Sequence, residues 1–232
     1  MNEKDMAPKI AEPEKPIGVV SVCAGAGLAD VFMNLGVDQI ISGGQTMNPS
    51  TQDILEAVNK VPAETVFVLP NNKNIIMAAQ QVDALTPKNV VVIGSKTVPQ
   101  GVTAMLNFNP EGSVEENTQA MTDVLGSVET MQITYAARNS DFDGYDIHEG
   151  DYLAMDGKGL FGTSKDITVL LKGLAEKARD DGREFITIYY GADTKEKHAQ
   201  KAADLFADIC PNADVNLING GQPVYYYMIS AE

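Results

Sequence analysis

The chain has 232 residues, 44% of them hydrophobic, and is long enough to bury a sizeable core in one large domain or two smaller lobes. Its 32 acidic and 17 basic side chains give a net charge of −15, which argues against binding to nucleic acid or an anionic membrane, because both need clustered lysine and arginine. Two cysteines in or beside apolar runs, no apolar run of membrane-spanning length and no signal-peptide core together predict a cytoplasmic protein.

Residues 1–16 differ in composition from the rest of the chain. They are rich in charge and are interrupted by Pro8, Pro13 and Pro16, with few apolar side chains to bury. This composition is typical of a linker or a disordered tail. A linker would imply that another domain precedes this one.

Residues 17–110 predict a parallel α/β lobe. Short apolar runs alternate with helix-like segments, which favours a parallel sheet covered by helices on both faces. The predicted strands are 18–23, 39–42, 65–69 and 89–93, and the predicted helices are 28–35, 50–59, 73–83 and 99–107.

The pattern changes after residue 110. Residues 111–127 predict a connecting helix, which Ser113 and Glu116 begin with the spacing of a capping box. Residues 128–232 then predict a second lobe, α/β with a mixed sheet, because an alternating strand and glycine-punctuated hairpins precede further helices. Its predicted elements are a strand at 130–137, hairpins between 143 and 162, helices at 166–179 and 195–209, and a strand at 224–230.

A Gly-Gly-Gln turn occurs once in each predicted lobe. Gly43, Gly44 and Gln45 follow one apolar run, and Gly220-Gly221-Gln222 follows another. Paired glycines allow backbone angles that other residues avoid, and glutamine offers both donors and an acceptor. The repeat suggests two related α/β units, although two unrelated turns would give the same pattern.

Three predicted strand-to-helix junctions of the first lobe are rich in amides and hydroxyls. They fall at the carboxyl ends of parallel strands, where ligands and partners usually bind and where helix N-termini attract anions. Lys73 and Lys96 stand near two of these termini, where a cation needs an anionic ligand or partner to compensate. Simple helix capping would explain each junction taken alone. Arg138 could clamp a carboxylate or phosphate or form a surface ion pair. The candidate binding residues are Gly43, Gly44, Gln45, Thr46, Asn48, Asn71, Asn72, Lys73, Asn74, Lys96, Thr97, Gln100, Arg138 and Gln222.

The sequence offers no catalytic apparatus. It has no phosphate loop, no dinucleotide fingerprint and no serine-nucleophile motif. His148 and His198 lack a second histidine or cysteine at ligand spacing, and residues 141–146 match only part of a calcium loop. We therefore predict no catalytic residue, no metal site and no cofactor in this chain. Four methionines lie among apolar neighbours and are predicted to be core residues: Met47, Met77, Met105 and Met121.

Four motifs resemble the C-terminal domain of FakA, the kinase subunit of fatty acid kinase, in a family also described as dihydroxyacetone-kinase-like or DAK phosphatase proteins. The resemblance covers 17–232, and Asn117, Met121, Tyr135, Ala136 and Arg138 extend the pattern. The motifs are Gly43-Gly44-Gln45-Thr46-Met47-Asn48-Pro49-Ser50, Leu69-Pro70-Asn71-Asn72-Lys73-Asn74, Lys96-Thr97-Val98-Pro99-Gln100-Gly101 and Gly220-Gly221-Gln222-Pro223-Val224-Tyr225.

The resemblance implies a two-lobed DegV-like fold and a place in lipid metabolism. The parent protein would be an ATP-dependent kinase that phosphorylates a fatty acid held by a separate DegV-like carrier, for phospholipid synthesis. ATP and magnesium would bind only in a kinase domain that this chain lacks, so the chain looks like an isolated fragment. Its expected partners are the carrier and the kinase and linker domains of the parent chain.

Two functions from different classes follow. One is a non-catalytic domain that docks the fatty-acid-carrying partner. The other is a small-ligand domain that binds a fatty acid or a phosphate-bearing molecule in a crevice between the lobes. A catalytic phosphatase or kinase ranks third. The sequence leaves acyl-chain specificity and oligomeric state open.

Overall fold

A computed structural model of the chain describes residues 9–44, 47–142 and 144–232. The described residues form two compact units. The first runs to Ala24 and continues over Ala29–Leu125, and the second comprises Gly25–Leu28 and Gly126–Glu232. Helix Val114–Asp123, which the sequence interpretation set apart as a connection, packs against helix Val98–Leu106 inside the first unit.

The first unit contains a parallel four-stranded sheet, as predicted. Strands β1 (Lys15–Cys23), β2 (Gln39–Ser42), β3 (Ala63–Leu69) and β4 (Asn89–Val92) take the order β2-β1-β3-β4. The central strands are apolar almost throughout because both faces are covered. The helices are α1 (Ala26–Asn34), α2 (Thr51–Lys60), α3 (Ile76–Gln80), α4 (Val98–Leu106) and α5 (Val114–Asp123).

Local capping fixes where two of these helices begin. The Ser50 hydroxyl accepts a hydrogen bond from the Asp53 backbone N–H while the Asp53 carboxylate accepts one from the Ser50 N–H, so α2 starts at Thr51. Ser113 and Glu116 do the same for α5, which confirms the capping box predicted there. These reciprocal bonds satisfy N–H groups that have no partner within the helix.

Residues 9–16 are part of the first unit, where their composition had predicted a linker; residues 1–8 lie outside the described part of the chain. The Ala11 N–H donates to the Asn59 carbonyl at 2.8 Å, and the Glu14 N–H donates to the Pro62 carbonyl at 2.9 Å. The Lys88 ammonium donates to the carbonyls of Ala11, Val61 and Ala63. Lys88 is 7% exposed, and its burial lowers the pKa of the ammonium. One buried lysine thus fastens this segment to the sheet.

The second unit contains a mixed six-stranded sheet, also as predicted. The strand order is β11-β10-β12-β5-β8-β9, with β10 and β11 parallel and the other neighbours antiparallel. A separate hairpin of β6 and β7 turns at Gly144, where φ is +81°. Its elements are β5 (Glu129–Tyr135), β6 (Ser140–Phe142), β7 (Tyr145–Ile147), β8 (Tyr152–Asp156), β9 (Gly159–Ser164), α6 (Ile167–Asp180), β10 (Phe185–Tyr190), α7 (Glu196–Ile209), β11 (Asp214–Asn219) and β12 (Tyr227–Ala231).

Two predicted elements are shorter than their sequence patterns. Helix α3 begins at Ile76 because the Asn72 side chain accepts a hydrogen bond from the Asn74 N–H and forms a local turn first. Strand β12 begins at Tyr227, since Val224 has φ of +71°, a conformation incompatible with an extended strand.

Candidate functional site

The three polar junctions of the first unit meet at the carboxyl edge of its sheet. The Asn72 side-chain amide donates to the Gly44 carbonyl and joins the loop after β2 to the loop after β3. The Asn71 N–H donates to the Ser95 hydroxyl at 3.1 Å and joins the loop after β3 to the loop after β4. Residues that are distant in sequence therefore form one continuous edge.

Asn71 lies at the centre of this edge and is only 6% exposed. Its amide nitrogen donates to the Ser21 hydroxyl at 3.0 Å and the Val22 carbonyl at 2.9 Å, and its amide oxygen accepts from Ser95 at 2.8 Å. A Cβ at Gly101 would lie 2.1 Å from that oxygen, so only glycine fits there. These contacts give Asn71 a structural role, and its predicted role in binding stays a prediction.

Thr97 and Gln100 cap helix α4. The Thr97 hydroxyl accepts from the Gln100 N–H at 3.2 Å, and the Gln100 side chain accepts from the Lys96 N–H at 2.7 Å and donates to the Leu125 carbonyl at 3.0 Å. The capping explanation weighed for this junction therefore describes what these two side chains do.

Other predicted binding residues are exposed. Asn48, Asn74, Lys73 and Lys96 lie at the same edge of the first unit, and Arg138 follows β5 in the second unit. Within the described residues no carboxylate forms an ion pair with either lysine or with Arg138. Their charged groups are thus available to a ligand or partner.

The first Gly-Gly turn requires glycine. Gly43 and Gly44 have φ of +148° and +112°, and the Gly44 N–H donates to the Met47 carbonyl at 3.0 Å. A Cβ at Gly43 would lie 2.6 Å from that carbonyl oxygen. The predicted binding residues Gln45 and Thr46 lie outside the described residues.

The methionine prediction is half wrong. Met105 and Met121 are buried, at 3% and 0% exposure, as expected of core residues. Met47 and Met77 are instead 77% and 73% exposed. The five-residue helix α3 buries only Ala79, and Met77 stands on its outer side. Both exposed methionines belong to the carboxyl edge of the first sheet.

The second Gly-Gly-Gln turn packs against the first turn of α1, a contact that the sequence analysis missed. The Leu28 N–H donates to the Gly220 carbonyl at 3.0 Å, and a Cβ at Gly27 would lie 1.7 Å from the Asn219 carbonyl oxygen. The glycine-rich run before α1 is the signal that could have indicated this contact, since closely spaced glycines often mark such an approach of two backbones.

Gln222 is buried within this turn, at 2% exposure. Its side-chain nitrogen donates to the Tyr189 carbonyl at 2.9 Å, and Gly221 beside it has φ of +63°. The side-chain oxygen has no hydrogen-bond partner among the described residues. Its predicted contact with a partner stays a prediction.

The described ranges contain neither a candidate metal site nor a candidate membrane span. No group of three or more histidine, cysteine, aspartate or glutamate side chains could hold a metal ion there. No helix among these residues is both long and apolar enough to span a membrane. The Cys23 thiol is buried, which raises its pKa to about 12.

The parallel and mixed sheets define a DegV-like α/β fold, and solved structures agree. DegV family protein Cg2579 from Corynebacterium glutamicum superposes with a TM-score of 0.66 at 16% identity, over 94% of this chain and 97% of that one. The Streptococcus pneumoniae Fatty Acid Kinase (Fak) B3 protein, loaded with linoleic acid, gives a TM-score of 0.63 at 11% identity, over 94% and 99%. At these identities the likeness concerns the fold.

Sequence similarity identifies the family more narrowly. Residues 18–232 match the family model for the C-terminal region of FakA-like fatty acid kinase subunits. Protein YloV of Bacillus subtilis is 41% identical over 219 residues, which are 94% of this chain and 40% of that protein. The chain belongs to this FakA-like C-terminal family, which confirms the resemblance of its motifs. It spans less than half the length of this relative.

Proposed function

We propose that this chain is the non-catalytic C-terminal domain of a fatty acid kinase subunit. It docks a DegV-like protein that carries the fatty acid, so that a separate kinase domain can phosphorylate the acyl carboxylate. The observation that carries the proposal is the family match over 18–232. The existence of a DegV-like protein with Fak in its name and linoleic acid bound supports the choice of partner.

Phosphoryl transfer is assigned to a different part of the parent protein. A kinase must cradle the nucleotide phosphates and hold Mg²⁺ with carboxylates. This sequence has no phosphate loop, and the B. subtilis relative has more than half of its length outside the matching region. We place the ATP and Mg²⁺ sites in that additional region and give this domain the task of recognising the carrier.

A binding experiment with purified proteins tests the proposal. The 232-residue chain is titrated by calorimetry with a DegV-like protein of the same organism, loaded with oleic acid. We expect saturable binding of one carrier per chain, and no acyl phosphate when the chain is given ATP, Mg²⁺ and the loaded carrier. Absence of binding at about 100 µM of each protein, a concentration that detects even weak association, would overturn docking. Acyl phosphate formed by the chain alone would overturn its non-catalytic role.

A groove in the second unit favours a second candidate, direct binding of a fatty acid. It is lined by the apolar surfaces of Tyr152, Leu171, Leu205 and Tyr227, and Lys201 lies at its wall. An apolar groove with a nearby cation suits an acyl chain that ends in a carboxylate. Extraction of the purified chain followed by mass spectrometry distinguishes the candidates: co-purified fatty acid at one equivalent supports this one, and a lipid-free chain that still binds the carrier excludes it.

A further inference from the structure

The carboxyl edge of the first sheet exposes two large apolar side chains that nothing in the described structure covers. Met47 is 77% exposed and Met77 is 73% exposed. Methionine normally contributes to burial, and exposed methionines are typical of surfaces that bind partners, because the flexible thioether adapts to different shapes.

Hydrogen bonds connect the segments that carry the two methionines. Gly44 accepts a hydrogen bond from the Asn72 side chain, and its N–H donates to the Met47 carbonyl. Asn72 precedes α3, which carries Met77. The backbone that presents both methionines is therefore held in place by the edge itself.

Two unpaired cations accompany the methionines. Lys73 lies in the same loop as Asn72, and Lys96 follows Ser95, whose hydroxyl bonds to Asn71. Both lysines are exposed, and no ion pair with either occurs within the described ranges. In a chain of net charge −15, acidic groups are abundant, so two cations left without them form a local exception.

We propose that Met47, Met77, Lys73 and Lys96 form the docking surface for the fatty-acid-carrying partner. The matching face of that partner is apolar at its centre and acidic at its rim. This inference rests on the proposed docking function and adds to it the surface and the chemistry of the partner. The methionines provide contact area that excludes water, and the lysines provide orientation and a faster encounter with an acidic rim.

Substitutions with matched controls test the methionines. Met47→Ser, Met77→Ser and the double variant are compared with Met33→Ser, since Met33 is 50% exposed but lies near the C-terminal end of α1 and so at the opposite edge of the sheet. We expect the double variant to weaken carrier binding about tenfold or more and the control to stay within about twofold. Circular dichroism verifies that each variant folds, which exposure of these side chains leads us to expect.

Charge reversal tests the lysines separately. Lys73→Glu with Lys96→Glu should slow association with the carrier and reverse its dependence on salt, because the new charges repel an acidic rim. Lys60→Glu is the matched control, since Lys60 is exposed at the C-terminal end of α2. It should change the association rate by less than about twofold.

The outcomes separate this surface from the function on which it rests. If the unmodified chain does not bind the carrier, the docking function fails. If the unmodified chain binds and the methionine and lysine variants bind equally well, docking stands and this surface is wrong. If sedimentation shows that the chain self-associates and Met47→Ser/Met77→Ser abolishes it without affecting carrier binding, the occupant is a second copy and the proposal is overturned.

Discussion

The close approach of α1 to the second Gly-Gly-Gln turn makes Gly27→Ala a sharp test of the structure. A Cβ at this position would lie 1.7 Å from the Asn219 carbonyl oxygen and 2.8 Å from the Asn219 carbonyl carbon. Both atoms belong to the backbone, so no side chain can rotate to make room. The helix and the turn would have to separate by about 1.5 Å to restore an ordinary C···O contact.

The cost of that separation follows from the contacts it breaks. Inserting a methyl group into a well-packed site costs up to about 3 kcal/mol. Loss of the Leu28 N–H bond to the Gly220 carbonyl, which is 3.0 Å long, adds about 1 kcal/mol. Alanine regains at most about 1 kcal/mol through its higher helix propensity. We therefore expect Gly27→Ala to lower the free energy of unfolding by about 3 kcal/mol.

Urea unfolding followed by circular dichroism measures this change. Gly157→Ala is the matched control, because a Cβ there meets no atom within 4 Å and the residue also belongs to the second unit. The control should change the free energy of unfolding by less than about 0.5 kcal/mol. A Gly27→Ala protein as stable as the control would show that this backbone contact is not present in solution.

Two further predictions concern buried polar groups of the first unit and the thiols. Asn71→Ala should cost about 3 kcal/mol of stability, because it leaves Ser21, Ser95 and the Val22 carbonyl without their partner, whereas Asn74→Ala should be nearly silent; equal unfolding curves would contradict the buried network. Both cysteines should react with a thiol reagent only after unfolding, since burial raises the pKa of each thiol, that of Cys23 to about 12. Because an unfolded cysteine ionises near its ordinary pKa of 9.0, stability should fall as pH rises from about 9 towards 12; rapid labelling of the native chain at about pH 8 would refute this.

The sequence predicted the architecture well because its signals are local. Continuous apolar runs indicated the parallel strands of the first unit, and the Ser113–Glu116 spacing indicated the start of α5. The positive φ of Gly44 and Gly221 agrees with the conformational freedom expected of paired glycines.

The remaining errors come from information that is not local. Met47 and Met77 have apolar neighbours in sequence, but burial depends on which elements cover them, and a one-turn helix such as α3 covers little. Lys88 gives no sequence signal for its role, because its three carbonyl acceptors come from distant segments. The approach of Gly27 to Asn219 joins two ends of the chain, beyond the reach of any pattern in a short window.

The Lys88 clamp has a practical consequence for how this domain is delimited. Similarity to the family begins at residue 18, yet the physical unit begins at Ala11 or earlier, where the backbone already shares the lysine's acceptor set. An expression boundary drawn at residue 18 would cut into β1 and remove the Ala11 carbonyl from Lys88. The ammonium would then keep its burial with one acceptor fewer. A few charged residues that composition assigns to a tether are in this molecule part of the folded framework.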